Sequence, residues 1–196
     1  LPPEILNDHA CLELTEEVEE EPVEEEVGEL VSWWNKNAEA RINDFKAWVG
    51  DTNQPTKIFC RQHIARQKYQ SLIDCGCGIA PVNFGYAEGE YQINYTGLDS
   101  CHFFIETNRN NGITMVEGEL EKDLPIPDNS YECSYCREVL EHLPYYEKAL
   151  SEMIRIATKE VIVVFFIKPT KEEENINYWK EENLYHNLYN KYKMET

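Results

Sequence analysis

Lysine and arginine are scarce in this chain, at 18 against 37 aspartates and glutamates, for a net charge of −19. An acidic surface repels phosphate backbones, and no basic patch offsets it, which disfavours nucleic acid as a substrate. Residues 1–30 hold twelve acidic side chains and no lysine or arginine. No apolar run approaches the roughly 20 residues that cross a bilayer, and no signal peptide is visible. Without a secretory signal, the seven cysteines are expected to be reduced thiols in a cytoplasmic setting. The Gly-Lys-Ser/Thr of a P-loop is also missing.

What is there is enough for one domain with a real core, in 196 residues of which 42% are hydrophobic. Residues 1–28, with Glu19-Glu20-Glu21-Pro22 and Glu24-Glu25-Glu26, have the composition of an acidic linker or tail, and 29–196 form the domain. From Leu30 to Gly50 the spacing of Trp33, Trp34, Asn37, Arg41, Phe45 and Trp48 predicts one amphipathic helix. A second helix is expected over Thr56–Tyr69, with Ile58, Phe59, Ile64 and Ala65 on its apolar side. Strands are predicted at 71–75, 94–99, 113–117, 131–136 and 161–167, with helices at 102–109 and 145–157. This alternation predicts a doubly wound parallel α/β sheet. Residues 168–196 read as weakly helical, with no further strand.

The first strand runs from Ser71-Leu72-Ile73-Asp74 into Cys75-Gly76-Cys77-Gly78. Two glycines let the backbone turn tightly and approach a ligand closely. The third small residue of a nicotinamide fingerprint is absent, because Pro81 stands in its position. The stretch resembles motif I of the class I S-adenosylmethionine (SAM) methyltransferases, Asp/Glu-x-Gly-x-Gly. The likeness continues through Asp99, Gly118-Glu119, Asp123-Leu124-Pro125, Pro127-Asp128-Asn129-Ser130-Tyr131 and Glu138-Val139-Leu140-Glu141-His142, the pattern of the small-molecule type 11 group.

That resemblance implies a Rossmann-like sheet in the order 3-2-1-4-5 and SAM as cofactor, with S-adenosylhomocysteine as product. It implies cofactor contacts from Asp74, Cys75, Gly76, Cys77 and Gly78, and from Asp99 and Ser100 at the ribose. Glu119 and Leu120 would flank the adenine, and Cys136 would close the set. The candidates for acceptor binding and proton removal are His142, Glu138 and His186, because a hydroxyl acceptor must lose a proton as it attacks. A bracing role for His142 and a plain surface position for His186 stand as the alternatives. No metal is expected. A thiolate site from Cys75, Cys77, Cys133 and Cys136 is disfavoured because strand residues three apart point to opposite faces.

Two departures from the family stand out. Its usual final two strands are apparently missing, so strand five would be an apolar edge, expected to be covered by a partner subunit, the tail or the N-terminal segment. The 79–93 connection is loose. The lead expectation is O-methylation of a small polar acceptor, a sugar of a glycan ahead of others, with N- or C-methylation of a metabolite and a non-catalytic SAM-binding subunit as alternatives. The style of the sequence resembles methyltransferase domains of glycan-building proteins of large DNA viruses, which would act in host cytoplasm. Its acidic opening, at Leu rather than Met, suits a domain linked to a glycosyltransferase, and a homodimer is the other expected assembly. Asp99→Ala should weaken SAM binding strongly in calorimetry; unchanged affinity would remove Asp99 from the ribose site.

Overall fold

The computed structural model describes residues 29–50, 54–79, 92–143, 145–166, 175–181 and 184–189. The acidic stretch 1–28 and most of the loose 79–93 connection lie outside these. Three helices come first: α1 (Glu29–Asn37), α2 (Ile42–Gly50) and α3 (Pro55–Gln67). Then follow β1 (Ser71–Cys75), β2 (Asn94–Asp99), α4 (His102–Asn110), β3 (Thr114–Glu117) and β4 (Tyr131–Arg137). A 3-10 turn at Leu140–His142 precedes α5 (Glu147–Ile156), β5 (Ala157–Val164), β6 (Asn175–Glu181) and β7 (Leu184–Leu188).

The five-stranded sheet has the order β3-β2-β1-β4-β5, and every pairing in it is parallel. This is the Rossmann-like arrangement that the resemblance implies. Apolar side chains of alternating strand positions fill both faces, as a sheet covered on two sides requires. Leu72, Cys133 and Tyr135 pack with Cys60 and Ile64 of α3. Ile73, Cys75, Leu98 and Cys136 pack with Met153 and Ile156 of α5. Cys133 and Cys136 therefore lie on opposite faces.

Four expectations need correction. The single helix over 30–50 is two, broken by a turn at 38–41. Asn37 donates its side-chain amide to the Trp33 carbonyl at 2.8 Å, the local competition by which Asn weakens a helix interior, and Ala38 beyond it is fully buried. In α3 the inward residues are Cys60 and Ile64, whereas Phe59 is 62% exposed. Strand five begins at Ala157, because α5 runs into it directly as Ala157 turns extended. The tail is not helical: β6 and β7 form an antiparallel hairpin, a two-stranded sheet of its own. That hairpin does not extend the main sheet, and among the described residues no strand pairs with the outer edge of β5.

One polar clamp fixes the segment that leaves β3. Glu152 of α5 accepts the Leu124 amide at 2.9 Å and is paired with Arg155 at 2.6 Å. Arg155 reaches on to the Ile126 carbonyl and to Asp128, both at 2.7 Å. The hydrogen bond from Arg155 outweighs desolvation and, with the Leu124 amide and Lys148, holds the Glu152 carboxyl down to about 2 from its ordinary 4.5. Because the folded value is depressed, this stabilisation is complete above about pH 4.5 and is lost as pH falls toward 2. Glu152→Gln should therefore cost about 2 kcal/mol at pH 7, the scale of a lost charged hydrogen bond. The gap between its thermal midpoint and that of the unmodified protein should narrow as pH falls below about 4.5 and close only near pH 2; a gap independent of pH would refute the clamp.

Candidate cofactor and acceptor site

The site is built where the parallel strands end. Register aligns Asp74 with Gly97 and Tyr135, and Asp99 with Glu117, so the carboxyl ends of β1 to β4 share one rim. Ligands bind open α/β sheets outside these ends.

Leaving β1, the chain enters a left-handed turn, with φ +73° at Gly76 and +55° at Gly78. The amides of Gly76 and Cys77 both donate to the Leu98 carbonyl, at 2.8 and 3.0 Å. A Cβ on Gly76 would stand 2.6 Å from a Val139 methyl, whereas one on Gly78 would meet nothing within 4 Å. The turn is thus packed tight on one side and open at Gly78, a cradle that backbone or ligand can approach. Asp99, at the end of β2, accepts the Gly78 amide at 2.8 Å on one oxygen and the Cys101 amide at 2.9 Å on the other. Burial raises its carboxyl above the ordinary value, and these backbone amides counter the rise.

Beside this turn lies a cleft of about 250 Å³ lined by Ser100, Glu117, Gly118, Glu119, Lys122 and Asp123. Two sequence-predicted cofactor residues, Ser100 and Glu119, line it, and Asp99 stands next to Ser100 on the same rim. Lys122 lies 3.3 Å from the Glu119 carboxylate. Leu120 is buried in the core behind it.

Three predicted cofactor residues turn inward. Asp74 is buried and accepts the Tyr95 hydroxyl at 2.7 Å. Burial pushes its carboxyl up to about 7, against the pull of Tyr95 and Arg137. The Cys75 thiol faces Ser134 at 3.6 Å in the core, and burial raises it to about 12. Cys136 is fully buried in the same cluster. At this rim Cys75 and Cys136 offer backbone rather than thiol.

The other end of the rim gathers the acceptor candidates. Glu138, just past β4, holds φ +58°, a left-handed conformation that costs a non-glycine residue about 1 kcal/mol or more. Its amide donates to the Val164 carbonyl at 2.7 Å, and its carboxylate accepts Arg137 at 2.8 Å. His142 closes the 3-10 turn, half-buried, its ring 6.5 Å from that of Trp34 in α1 and 5.6 Å from that of Phe166 after β5. His186 lies on β7, opposite Trp179 of β6, and β7 packs against the 3-10 turn and α1.

Sequence reasoning missed what fastens the hairpin there. Tyr189, 2% exposed, donates its hydroxyl toward the carbonyls of Leu140 and Leu143, at 2.7 and 2.5 Å. The Asn187 amide reaches the Leu143 carbonyl at 2.5 Å. Glu141, wholly buried, accepts the Phe166 amide at 2.6 Å. The Glu141 position within the Glu138–Leu143 motif was a usable signal; Asn187 and Tyr189 carry none, since their partners are 44 to 49 residues away.

An open parallel sheet with a glycine turn on β1 and acidic residues ending β2 and β3 defines a nucleotide-cofactor domain. Residues 73–165, just under half of the chain, match the family model of the type 11 methyltransferases, described as a methyltransferase domain, and this similarity implies SAM as the cofactor. Two solved structures share the fold. One is described as a SAM-dependent methyltransferase of Methanococcus maripaludis, at 16% identity and a TM-score of 0.50 over 71% of this chain and 66% of that one. The other is described as a methyltransferase of Bacillus halodurans, at 15% identity and a TM-score of 0.51 over 71% of this chain and 65% of that one. The chain thus spans just under two thirds of their lengths. No curated protein matches it in sequence.

The residues present fit SAM: the turn is open at Gly78, and carboxylates and an open cleft lie beside it. Gly76→Ala should destabilise the fold more than Gly78→Ala, because both face a left-handed φ, at roughly 1–2 kcal/mol, and only the first also strikes Val139. Gly78→Ala should stay folded and lose SAM affinity. Thermal melts and calorimetry check the pair; equal stability loss would refute the packing argument.

Proposed function

We propose that the domain methylates a hydroxyl of a small polar acceptor, with a sugar of a glycan as the first choice. The observation that carries this reading is His142, half-buried on the rim between Trp34 and Phe166, one 3-10 turn past the strained Glu138. SAM, when bound, supplies an electrophilic methyl group on a sulfonium. Asp99, Ser100 and Glu119 hold the ribose and adenine ends, and the carboxylates around the rim suit a cation. His142 would accept the proton that the acceptor hydroxyl gives up as its oxygen bonds to the methyl carbon, and the methyl group's bond to the sulfonium would break to release S-adenosylhomocysteine as a neutral thioether. Glu138 orients the acceptor, and the hairpin bearing His186 walls the acceptor side and excludes water. The chain itself mainly positions groups, a proximity effect worth several powers of ten.

The acidity of the chain argues against nucleic acid and anionic lipid as acceptors. At the end of β4 the chain reads Cys136-Arg137-Glu138 in place of the Asn/Asp-Pro-Pro-Tyr/Phe of amide and adenine N-methyltransferases, which favours a hydroxyl over a nitrogen. A homodimer or a linked glycosyltransferase would suit such a role. A SAM-binding subunit without turnover is the second reading.

His142→Ala should lower turnover by about 10²–10⁴-fold, the usual worth of a general base, while sparing SAM affinity. Mass spectrometry of sugar and metabolite panels incubated with labelled SAM would supply the acceptor for that assay. Full activity of the variant would eliminate His142 as base, and SAM binding with no S-adenosylhomocysteine release from any panel member would favour the non-catalytic subunit.

A further inference from the structure

Asn108 is 1% exposed, in the last turns of α4. Asn is a poor helix former, and a polar amide buried this deeply is costly unless it is hydrogen-bonded. Its bonds leave its own helix. The side-chain amide donates to the Gly78 carbonyl at 2.8 Å and approaches the Cys77 sulfur at 3.7 Å, in a segment 30 residues earlier. The Asn108 carbonyl meanwhile accepts the amides of Asn111 and Ile113, both at 3.0 Å, so the same residue ties off the end of its helix.

The consequence falls on Gly78. Its amide is held by Asp99 and its carbonyl by Asn108, while the two preceding amides of the turn are held by Leu98. A glycine with φ +55° has little conformational preference of its own. Two side chains from different elements supply that preference, one on each side of the residue. The open side of the cradle is what remains for the ligand.

We infer that Asn108 is a positioning residue for SAM, pre-setting the glycine turn from α4 in partnership with Asp99. The inference rests on the reading of this turn as the cofactor cradle. Without Asn108, Gly78 regains freedom that binding must remove again, and affinity falls by the ordering cost.

The test titrates the full chain calorimetrically with SAM, comparing the unmodified protein, Asn108→Leu and Ile105→Val, the last a fully buried aliphatic residue of the same helix. Asn108→Leu should bind SAM roughly tenfold more weakly, the factor equivalent to one modest hydrogen bond. The Gly78 amide resonance should shift in its ¹H–¹⁵N spectrum as the bond to Asp99 loosens. Ile105→Val should lower the thermal midpoint and keep both SAM affinity and the Gly78 resonance. Should the Leu variant fail to fold, Asn108→Ser, whose hydroxyl is too short to reach Gly78, is read in the same way. Unchanged affinity in the Asn108 variant, or an equal loss in Ile105→Val, overturns the inference. Failure of the unmodified protein to bind SAM overturns the cradle reading itself and this inference with it.

Discussion

The carbonyl oxygen of Leu98 takes two amide hydrogens from the chain that leaves β1, and most of the site follows from that. An α/β sheet delivers its strands parallel, but what happens just past their ends is not set by pairing. Here the first strand's continuation is folded back onto the end of the second, which draws the glycine turn over Gly97 and brings the Gly78 amide to Asp99. Gly97 carries no side chain at that crossing, where a Cβ would stand 2.6 Å from the Met115 sulfur and 2.8 Å from that of Cys77. A bulky side chain at that point would lift the turn off the sheet, and the carboxylate of Asp99 would lose one of its two backbone donors.

The two ends of the rim are built by different means. The cofactor end uses local geometry: turn, strand end and helix start lie within about a third of the chain and are joined by backbone hydrogen bonds. The acceptor end is assembled from distant pieces, with α1 contributing Trp34, the 3-10 turn contributing His142, and the C-terminal hairpin fastened through Tyr189 and Asn187. α1 also links the ends. Asn35 caps the α4 amide of His102 at 3.1 Å, and Trp34 packs toward Phe104 as well as His142. A shift of α1 therefore moves groups on both sides of the rim together.

How much of this the sequence disclosed follows the same division. The strands of the main sheet read as short apolar runs bounded by turn residues, and the turn Cys75–Gly78 carried its meaning in its spacing, so sheet order and the cofactor rim were legible. The hairpin was not, because Asn175–Glu181 and Leu184–Leu188 are polar and aromatic by turns and owe their pairing to tertiary docking. Phe59 was mistaken for a core residue since periodicity cannot say which face of α3 meets the sheet, and the hydrophobic stripe on that helix is weak. Cys75 and Cys136 came with the motif, yet strand alternation turns their thiols to the α5 side. The bonds by which Tyr189, Asn187, Glu152 and Glu141 reach distant backbone join residues 25 to 49 positions apart, a range at which side-chain partners leave no local mark.

Strand β5 ends the sheet, and its two halves differ in character. Its first half, Ala157 to Glu160, is polar and already engaged: Lys159 pairs with Glu132 at 2.9 Å, while Glu160 turns toward α3 and is held by His63 at 2.8 Å and Tyr69 at 2.5 Å. The second half, Val161 to Val164, is wholly aliphatic. Charged groups along an outer strand discourage a stranger's backbone from adding to it, so the polar half of β5 protects this border of the sheet and the aliphatic half does not. Lys159 and Glu160 thus act as gatekeepers beside an aliphatic run, confining edge-to-edge addition of copies to the Val161–Val164 half.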